Sequence, residues 1–283
     1  MSHRLTIKEA LTQAAHLLTD SDSSLLDSEV LLAYVLKKTR SYFRAWPEKV
    51  LTPNELKAFR HLIEQRKTGQ PIAYLTGERE FWSRSFNVSP DVLIPRPDTE
   101  LLIDIVQENF SPDQAFSILD LGTGSGIIAI TLALEFKNAT VTAVDISEKA
   151  LSMAKKNARQ HKADHIQFIL SSWFKNIPKS RFDLIISNPP YISPNDQHLR
   201  EGDVRFEPNS ALIAQDNGLD DFKKIITKAS VFLNPKGTIL LEHGFQQGEI
   251  VKNLLESSGF VQIRHYQDIQ GHVRATLGKN HNR

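Results

Sequence analysis

The sequence predicts an α/β protein: a mostly parallel β-sheet with an antiparallel last strand, preceded by an all-helical domain and a β-hairpin linker. Three observations predict it. Apolar residues in the first third recur at helical spacing. From Ser117 onward, short apolar runs alternate with helical segments, as strands joined by crossover helices do. Near the end, Phe260–Tyr266 and Val273–Leu277 are separated by too few residues for a crossover helix, so that pair is antiparallel. The expected divisions are 1–73, helical; 74–95, hairpin linker; and 96–283, the sheet domain.

Ile7, Leu11, Ala14, Leu17 and Leu18 form the first core-facing stripe, and Thr6 with Glu9 forms a capping box at its start. A second helix is expected from about Leu25 to Lys38, with Leu26, Val30, Ala33 and Leu36 inward. Thr52-Pro53-Asn54-Glu55 opens a third, which carries Leu56, Phe59 and Ile63 and ends near Gly69-Gln70-Pro71. Such a bundle is either plain packing or a partner-docking module attached to an enzyme. Glu80–Ser83 and Ser85–Val88 are short, aromatic and β-branched, which suggests a hairpin. Asp91–Pro97 has two prolines in three residues and is an extended connector.

Strands are then expected at Ser117–Leu121, Thr140–Val144, Ile166–Leu170, Phe182–Ile186 and Thr238–Leu241. Helices are expected over Ile127–Phe136 and from Ser147, Leu219 and Gln246.

The 283 residues carry a formal charge of +1, which excludes a strongly cationic nucleic-acid coat. There is no cysteine, so disulfides, thiol nucleophiles and Cys-ligated metals are excluded. The ten histidines show no metal spacing such as H-E-x-x-H, and no metal is expected. The longest apolar run, Val30–Leu36, is far too short for a membrane span, and the N-terminus reads as an amphipathic helix rather than a signal peptide. A monomeric, cytoplasmic protein is the expectation.

Three short motifs carry chemistry. Gly122-Thr123-Gly124-Ser125-Gly126 follows a strand and opens a helix, where glycines allow a sharp turn and close ligand approach. A dinucleotide fingerprint would need a small residue at position 127, and Ile127 is there. That favours a nucleoside ligand without a pyrophosphate, although a simple tight turn would use the same glycines. Asp145 ends the next strand and can accept hydrogen bonds from two ribose hydroxyls; Ser147 is better placed than Asp145 to cap the following helix. Asn188-Pro189-Pro190-Tyr191 follows a third strand and faces the same crevice. Two prolines stiffen the loop and donate no hydrogen bond, which leaves the Asn188 side-chain oxygen and the Pro189 carbonyl as acceptors beside the Tyr191 ring. Such a site suits a planar NH₂ group, and a rigid proline turn is the plain alternative.

Together these motifs resemble the class I, Rossmann-like S-adenosylmethionine-dependent methyltransferases that act on NH₂ groups. Further segments narrow the resemblance to the HemK/PrmC family: Gly69–Gly77, Glu80-Phe81, Ile94–Glu100, Glu207–Leu212, Glu242-His243-Gly244 and Asp268–Arg274. It spans about residues 5 to 278. The family methylates the glutamine side-chain nitrogen (N5) in the Gly-Gly-Gln motif of class 1 peptide chain release factors. The resemblance therefore implies S-adenosyl-L-methionine as cofactor, held by Gly122, Thr123, Gly124, Ser125, Gly126, Asp145, Asn188 and Trp173, the last beside the adenine. It implies Asn188, Pro189, Pro190 and Tyr191 as the substrate site, with Asn188, Pro189 and Tyr191 catalytic. Ser172 stands where the family commonly has an acid, which implies a weaker or water-mediated adenine contact. Arg96 and Glu100 fit substrate contacts and a structural ion pair equally well.

The alternatives are a glutamine methyltransferase of a ribosomal protein and an adenine-N6 nucleic-acid methyltransferase. The near-zero charge and the lack of a visible base-recognition domain count against nucleic acid as a direct partner. A non-catalytic nucleoside-binding module is a further rival, disfavoured by the presence of all three motifs.

Overall fold

The computed structural model describes residues 4–178 and 180–281. The chain forms two compact units: residues 4–78 with Arg200–Phe206, and Arg79–Leu199 with residues 207–281. No helix among the described residues is long and apolar enough to cross a membrane.

The smaller unit contains α1 (Ile7–Leu17), α2 (Ser24–Leu36), α3 (Arg40–Ala45), α4 (Pro53–Lys67) and α5 (Ile72–Thr76). The expected capping box at Thr6 forms, and the helix start at Thr52 carries one as well. Thr6 Oγ1 accepts from Glu9 N at 3.2 Å while Thr6 N donates back to Glu9 Oε2, and Thr52 with Glu55 repeats the arrangement. Ile7, Leu31, Leu32, Phe43, Phe59 and Ile63 centre the core.

Two expected faces differ. Leu17 is exposed while Leu18 is buried. On α2, Leu26 is exposed, Val30, Ala33 and Leu36 are half-buried, and Asp27, Ser28, Leu31 and Leu32 point inward. The helix is rotated because Asp27 is satisfied inside: Ser21 and Ser23 hydroxyls donate to it, and Arg66 Nε donates at 2.8 Å. Apolar periodicity cannot anticipate a paired carboxylate on the core face.

In the larger unit, β1 (Glu78–Phe81) and β2 (Arg84–Asn87) form the hairpin. Its turn is Trp82-Ser83, at φ 51° and 56°, inside the stretch Glu80–Ser83 expected as the first strand. Positive φ at both central residues matches the twist of paired strands, here without the glycine or asparagine that usually signals it. Phe81 and Phe86 are buried in the core of this unit. The extended connector then leads into α6 (Glu100–Asn109), whose buried face is Leu102, Ile103, Ile105 and Val106.

The sheet elements follow: β3 (Ser117–Leu121), α7 (Ile127–Glu135), β4 (Thr140–Asp145), α8 (Glu148–Gln160), β5 (Gln167–Leu170), β6 (Phe182–Ser187), two single turns α9 (Asn209–Leu212) and α10 (Gln215–Gly218), α11 (Asp220–Phe232), β7 (Leu233–Glu242), α12 (Gly248–Ser257), β8 (Phe260–Gln267) and β9 (Val273–Asn280). Seven strands pair in the order β5-β4-β3-β6-β7-β9-β8. The first five are parallel, and β9 runs antiparallel to both β7 and β8. The predicted mixed sheet is thus present. Strand β7 begins five residues before the expected Thr238, because Pro235, Lys236 and Gly237 read as a turn in sequence. The strand order reverses between β3 and β6, so a crevice opens at the carboxyl ends of these strands, where open α/β sheets bind ligands.

Candidate active site

Gly122, Gly124 and Gly126 have φ of 74°, 55° and 86°, a region that strains other residues. The amides of Gly122 and Thr123 both donate to Val144 O at 2.9 Å, which folds the loop over the end of β4. A Cβ at position 126 would lie 2.9 Å from Ile130 Cδ1 and 3.1 Å from Ala154, so the third glycine lets α7 approach α8. At position 124 a Cβ would meet nothing within 4 Å, and at 122 it would meet the Trp173 ring at 3.5 Å.

Asp145 closes the other side of the loop. Its Oδ2 accepts from Gly124 N and its Oδ1 from Ser147 N, both at 2.9 Å. Ser147 caps α8 through Ala150 N, as expected. Burial raises the Asp145 pKa, and the backbone N–H bonds from Ser147 and Gly124 oppose that. Ile146 N also favours the ionised carboxyl, and a carboxylate with two oxygens keeps acceptor capacity for a ligand hydroxyl.

A cavity of about 270 Å³ opens beside these groups. Gly122, Gly124, Asp145, Trp173, Asn188 and Pro190 line it, with Asp91, Ser172, Asp221 and Lys224 among their neighbours. Thr123 and Ser125 are buried and, with Gly126, support the loop outside the cavity lining; Pro189 and Tyr191 also stand outside it. Trp173 sits at φ 49° and donates Nε1 to Asp221 Oδ1 at 3.2 Å. A flat aromatic wall, a two-oxygen acceptor and a glycine floor with open space fit a nucleoside. Asp221 had no local signal in sequence; it resembles an ordinary acid in the first turn of a helix.

Asn188 donates Nδ2 to Thr99 Oγ1 at 3.2 Å, which leaves its Oδ1 as an acceptor. Tyr191 OH donates to Glu242 Oε1 at 3.5 Å, and Gln247 Nε2 donates to the Tyr191 carbonyl at 3.0 Å. Gly218, at φ 85°, lies so close that a Cβ would be 2.2 Å from that carbonyl oxygen. A bridge between Ile192 and Ile213 pins the segment that follows.

Arg96 and Glu100 both have structural partners. Arg96 pairs with the buried Glu207, whose second oxygen accepts from Ile94 N at 3.1 Å. Glu100 Oε1 accepts from Trp82 N at 2.7 Å in the hairpin turn. Among the described residues, no group of three or more His, Asp or Glu could hold a metal ion.

Two further carboxyls stand near this end of the sheet. Asp120 is buried, accepts from Thr123 Oγ1 at 2.7 Å, and is pushed up to about 7 by burial. Glu242 is likewise pushed up to about 7 by burial.

Residues 9–77 match the PrmC N-terminal domain family, and residues 112–277 match a methyltransferase domain family. Curated relatives named release factor glutamine methyltransferase align over nearly the whole chain. The protein from Aliivibrio fischeri is 45% identical over 278 residues, covering 97% of this chain and 98% of its own. That from Salmonella typhimurium is 46% identical over 269 residues, covering 95% and 97%.

The chain belongs to the release factor glutamine methyltransferase family. Solved structures agree on the fold. A Pyrococcus furiosus methyltransferase superposes with a TM-score of 0.54 at 19% identity, covering 79% of this chain and 98% of its own. The T. thermophilus 16S rRNA N2 G1207 methyltransferase, solved with AdoMet and guanosine, gives 0.55 at 19% identity, covering 72% and 49%. This chain thus shares its fold with a methyltransferase named for a different substrate, so specificity has to come from the site and its surroundings.

Proposed function

We propose that this chain transfers the methyl group of S-adenosyl-L-methionine to the side-chain amide nitrogen (N5) of the glutamine in the Gly-Gly-Gln motif of class 1 peptide chain release factors. The observation that supports it most is the anchored Asn188 amide: Nδ2 is engaged by Thr99, and Oδ1 is left as an acceptor at a cavity that also holds Gly124 and Asp145.

S-adenosylmethionine, when bound, supplies a methyl group on a good sulfur leaving group. Asp145 accepts the ribose hydroxyls, Trp173 packs on the adenine, and the glycine loop, Gly122 to Gly126, closes around the remainder. Asn188 Oδ1 and the Pro189 carbonyl accept the two N–H bonds of the substrate glutamine. Pro190 stiffens the loop, and Tyr191 packs on the amide plane. An amide nitrogen is a poor nucleophile because its lone pair is delocalised into the carbonyl. Two fixed acceptors orient it and favour a more tetrahedral nitrogen, so the chain contributes through orientation and preorganised polarity. The nitrogen becomes acidic only as the new bond forms, and its proton leaves to solvent without a strong base.

A Gly-Gly-Gln glutamine is a common chemical feature, so selection of a whole release factor needs contacts elsewhere. The helical unit is proposed to supply them, in a monomeric cytoplasmic enzyme. Nucleic acid is not a direct partner in this reading, in keeping with the formal charge of +1.

The test uses labelled cofactor with a release factor, wild type or with its Gly-Gly-Gln glutamine changed to alanine. Label on the wild type alone is the expected result. Label on both would mean another acceptor, and label on neither would move the substrate to a ribosomal protein or nucleic acid.

A further inference from the structure

Glu242 is 2% exposed and follows directly on the Ser187–Leu241 pairing of β6 with β7, which sets it beside the start of the Asn188–Tyr191 segment. Two hydroxyls tied to that segment converge on it. Tyr191 OH donates to its Oε1. Thr99, whose oxygen accepts the Asn188 amide, faces the same carboxyl and favours its ionised form. Oε2 forms no hydrogen bond in the structure, which leaves it open to a hydroxyl that turns toward it.

We infer that Glu242 is a positioning residue for methyl transfer: it holds Tyr191 directly and sets the orientation of the Asn188 amide through Thr99. The inference rests on the glutamine reading above.

A threonine hydroxyl has one proton and an asparagine amide can flip. When ionised Glu242 takes the Thr99 proton, the Thr99 oxygen can only accept. Asn188 must then present Nδ2 to Thr99, and Oδ1 is left for the substrate. When Glu242 is protonated it can donate to Thr99, which frees the Thr99 proton to bond Asn188 Oδ1. The acceptor needed by the substrate is then occupied. Hydrogen-bond chains of this kind reverse as a unit in a buried setting.

The charged groups that act on Glu242 are Asp98 beside Thr99 and Arg274 on β9, with the Tyr191 phenol opposite, and Arg96 acts on that phenol. Arg96 is held by Glu207, and Arg274 by Asp268 at 3.0 Å and Asp98 at 3.4 Å. Burial raises the Glu242 pKa to about 7 with Asp98 adding to the rise, while Thr99, Arg274 and Tyr191 oppose it. The switch therefore operates in the neutral range.

The test measures kcat and KM for a release factor from pH 5.5 to 8.5 at saturating cofactor. Wild type is expected to lose kcat below about pH 7. Glu242→Gln should lower kcat by about 10- to 100-fold, the effect of one hydrogen bond to a charged group, and abolish that acid limb. KM and cofactor affinity should stay within about threefold. Thr99→Val should reproduce the kcat loss, and Thr99→Ser, which keeps the hydroxyl, should recover most of it. Wild-type kcat and an unchanged acid limb in Glu242→Gln would overturn the inference, as would equal rates in the two Thr99 variants. If Glu242→Gln fails to bind cofactor, the Thr99 pair decides. The Asn188 side-chain amide signal, followed by ¹⁵N NMR, separates this inference from the substrate assignment. It should titrate near pH 7 in wild type even if no release factor is labelled, and a signal that does not move would overturn the inference by itself.

Discussion

Asn157, fully buried on α8, bonds both backbone groups of Asn87 at the end of the hairpin. Its Oδ1 accepts from Asn87 N at 2.8 Å, and its Nδ2 donates to Asn87 O at 3.0 Å. The same Nδ2 donates to Ser125 O at 2.8 Å. One side chain thus ties the hairpin to the glycine loop. Asn157→Ala leaves these backbone groups without partners and should destabilise the protein by about 2–4 kcal/mol in urea unfolding. A loss below about 0.5 kcal/mol would mean that the tie is dispensable.

Asp145 acts at the next level, on cofactor affinity. Asp145→Ala removes the acceptor for Gly124 N and Ser147 N as well as the ligand's own partner. Calorimetry should record a cofactor Kd raised by about 10- to 100-fold. An unchanged Kd would remove Asp145 from the binding site.

The raised Asp120 carboxyl gives stability a pH slope of known sign. Its folded pKa of about 7 lies above the ordinary value of 3.8, so the folded state binds more protons between those limits. Stability from this group is present below about pH 4 and is lost as pH rises through about 7. His243 runs the other way: burial lowers it from 6.5 to about 4, so its share is lost as pH falls through that interval. Comparing wild type with Asp120→Asn in the absence of cofactor isolates the first effect. The variant should gain relative to wild type by on the order of 3 kcal/mol from pH 4 to pH 8. A difference independent of pH would contradict the assignment.

The helical unit exposes large apolar side chains, with Trp46 at 60% and Tyr34 at 51%. If this unit selects the release factor, Trp46→Ala with Tyr34→Ala should raise KM for the whole protein substrate by about tenfold, as loss of aromatic interface anchors does. KM for a short Gly-Gly-Gln peptide should not move. Equal effects on both substrates would remove the docking role from this surface.

The features read correctly from sequence are those with local causes. Thr6 with Glu9 and Thr52 with Glu55 act three residues apart, and Gly122, Gly124 and Gly126 advertise the backbone angles that they adopt. The features missed depend on distant pairs. Asp27 faces the core because Arg66 meets it 39 residues on, and Arg96 finds Glu207 at a separation of 111. The contact of Tyr191 with Glu242 spans 51 residues, and it exists only because β6 and β7 pair side by side. Local pattern carries no information about such partners, and the Trp82-Ser83 turn lacks even the residue types that mark a hairpin.

The most direct test of the central claim is the single-turnover rate of Asn188→Ala with saturating cofactor and release factor. The predicted result is a rate about 10²–10³-fold below wild type, as for loss of one preorganised polar contact, with cofactor affinity within about threefold of wild type. Near-normal turnover would contradict the role of Asn188 as the acceptor that orients the substrate amide.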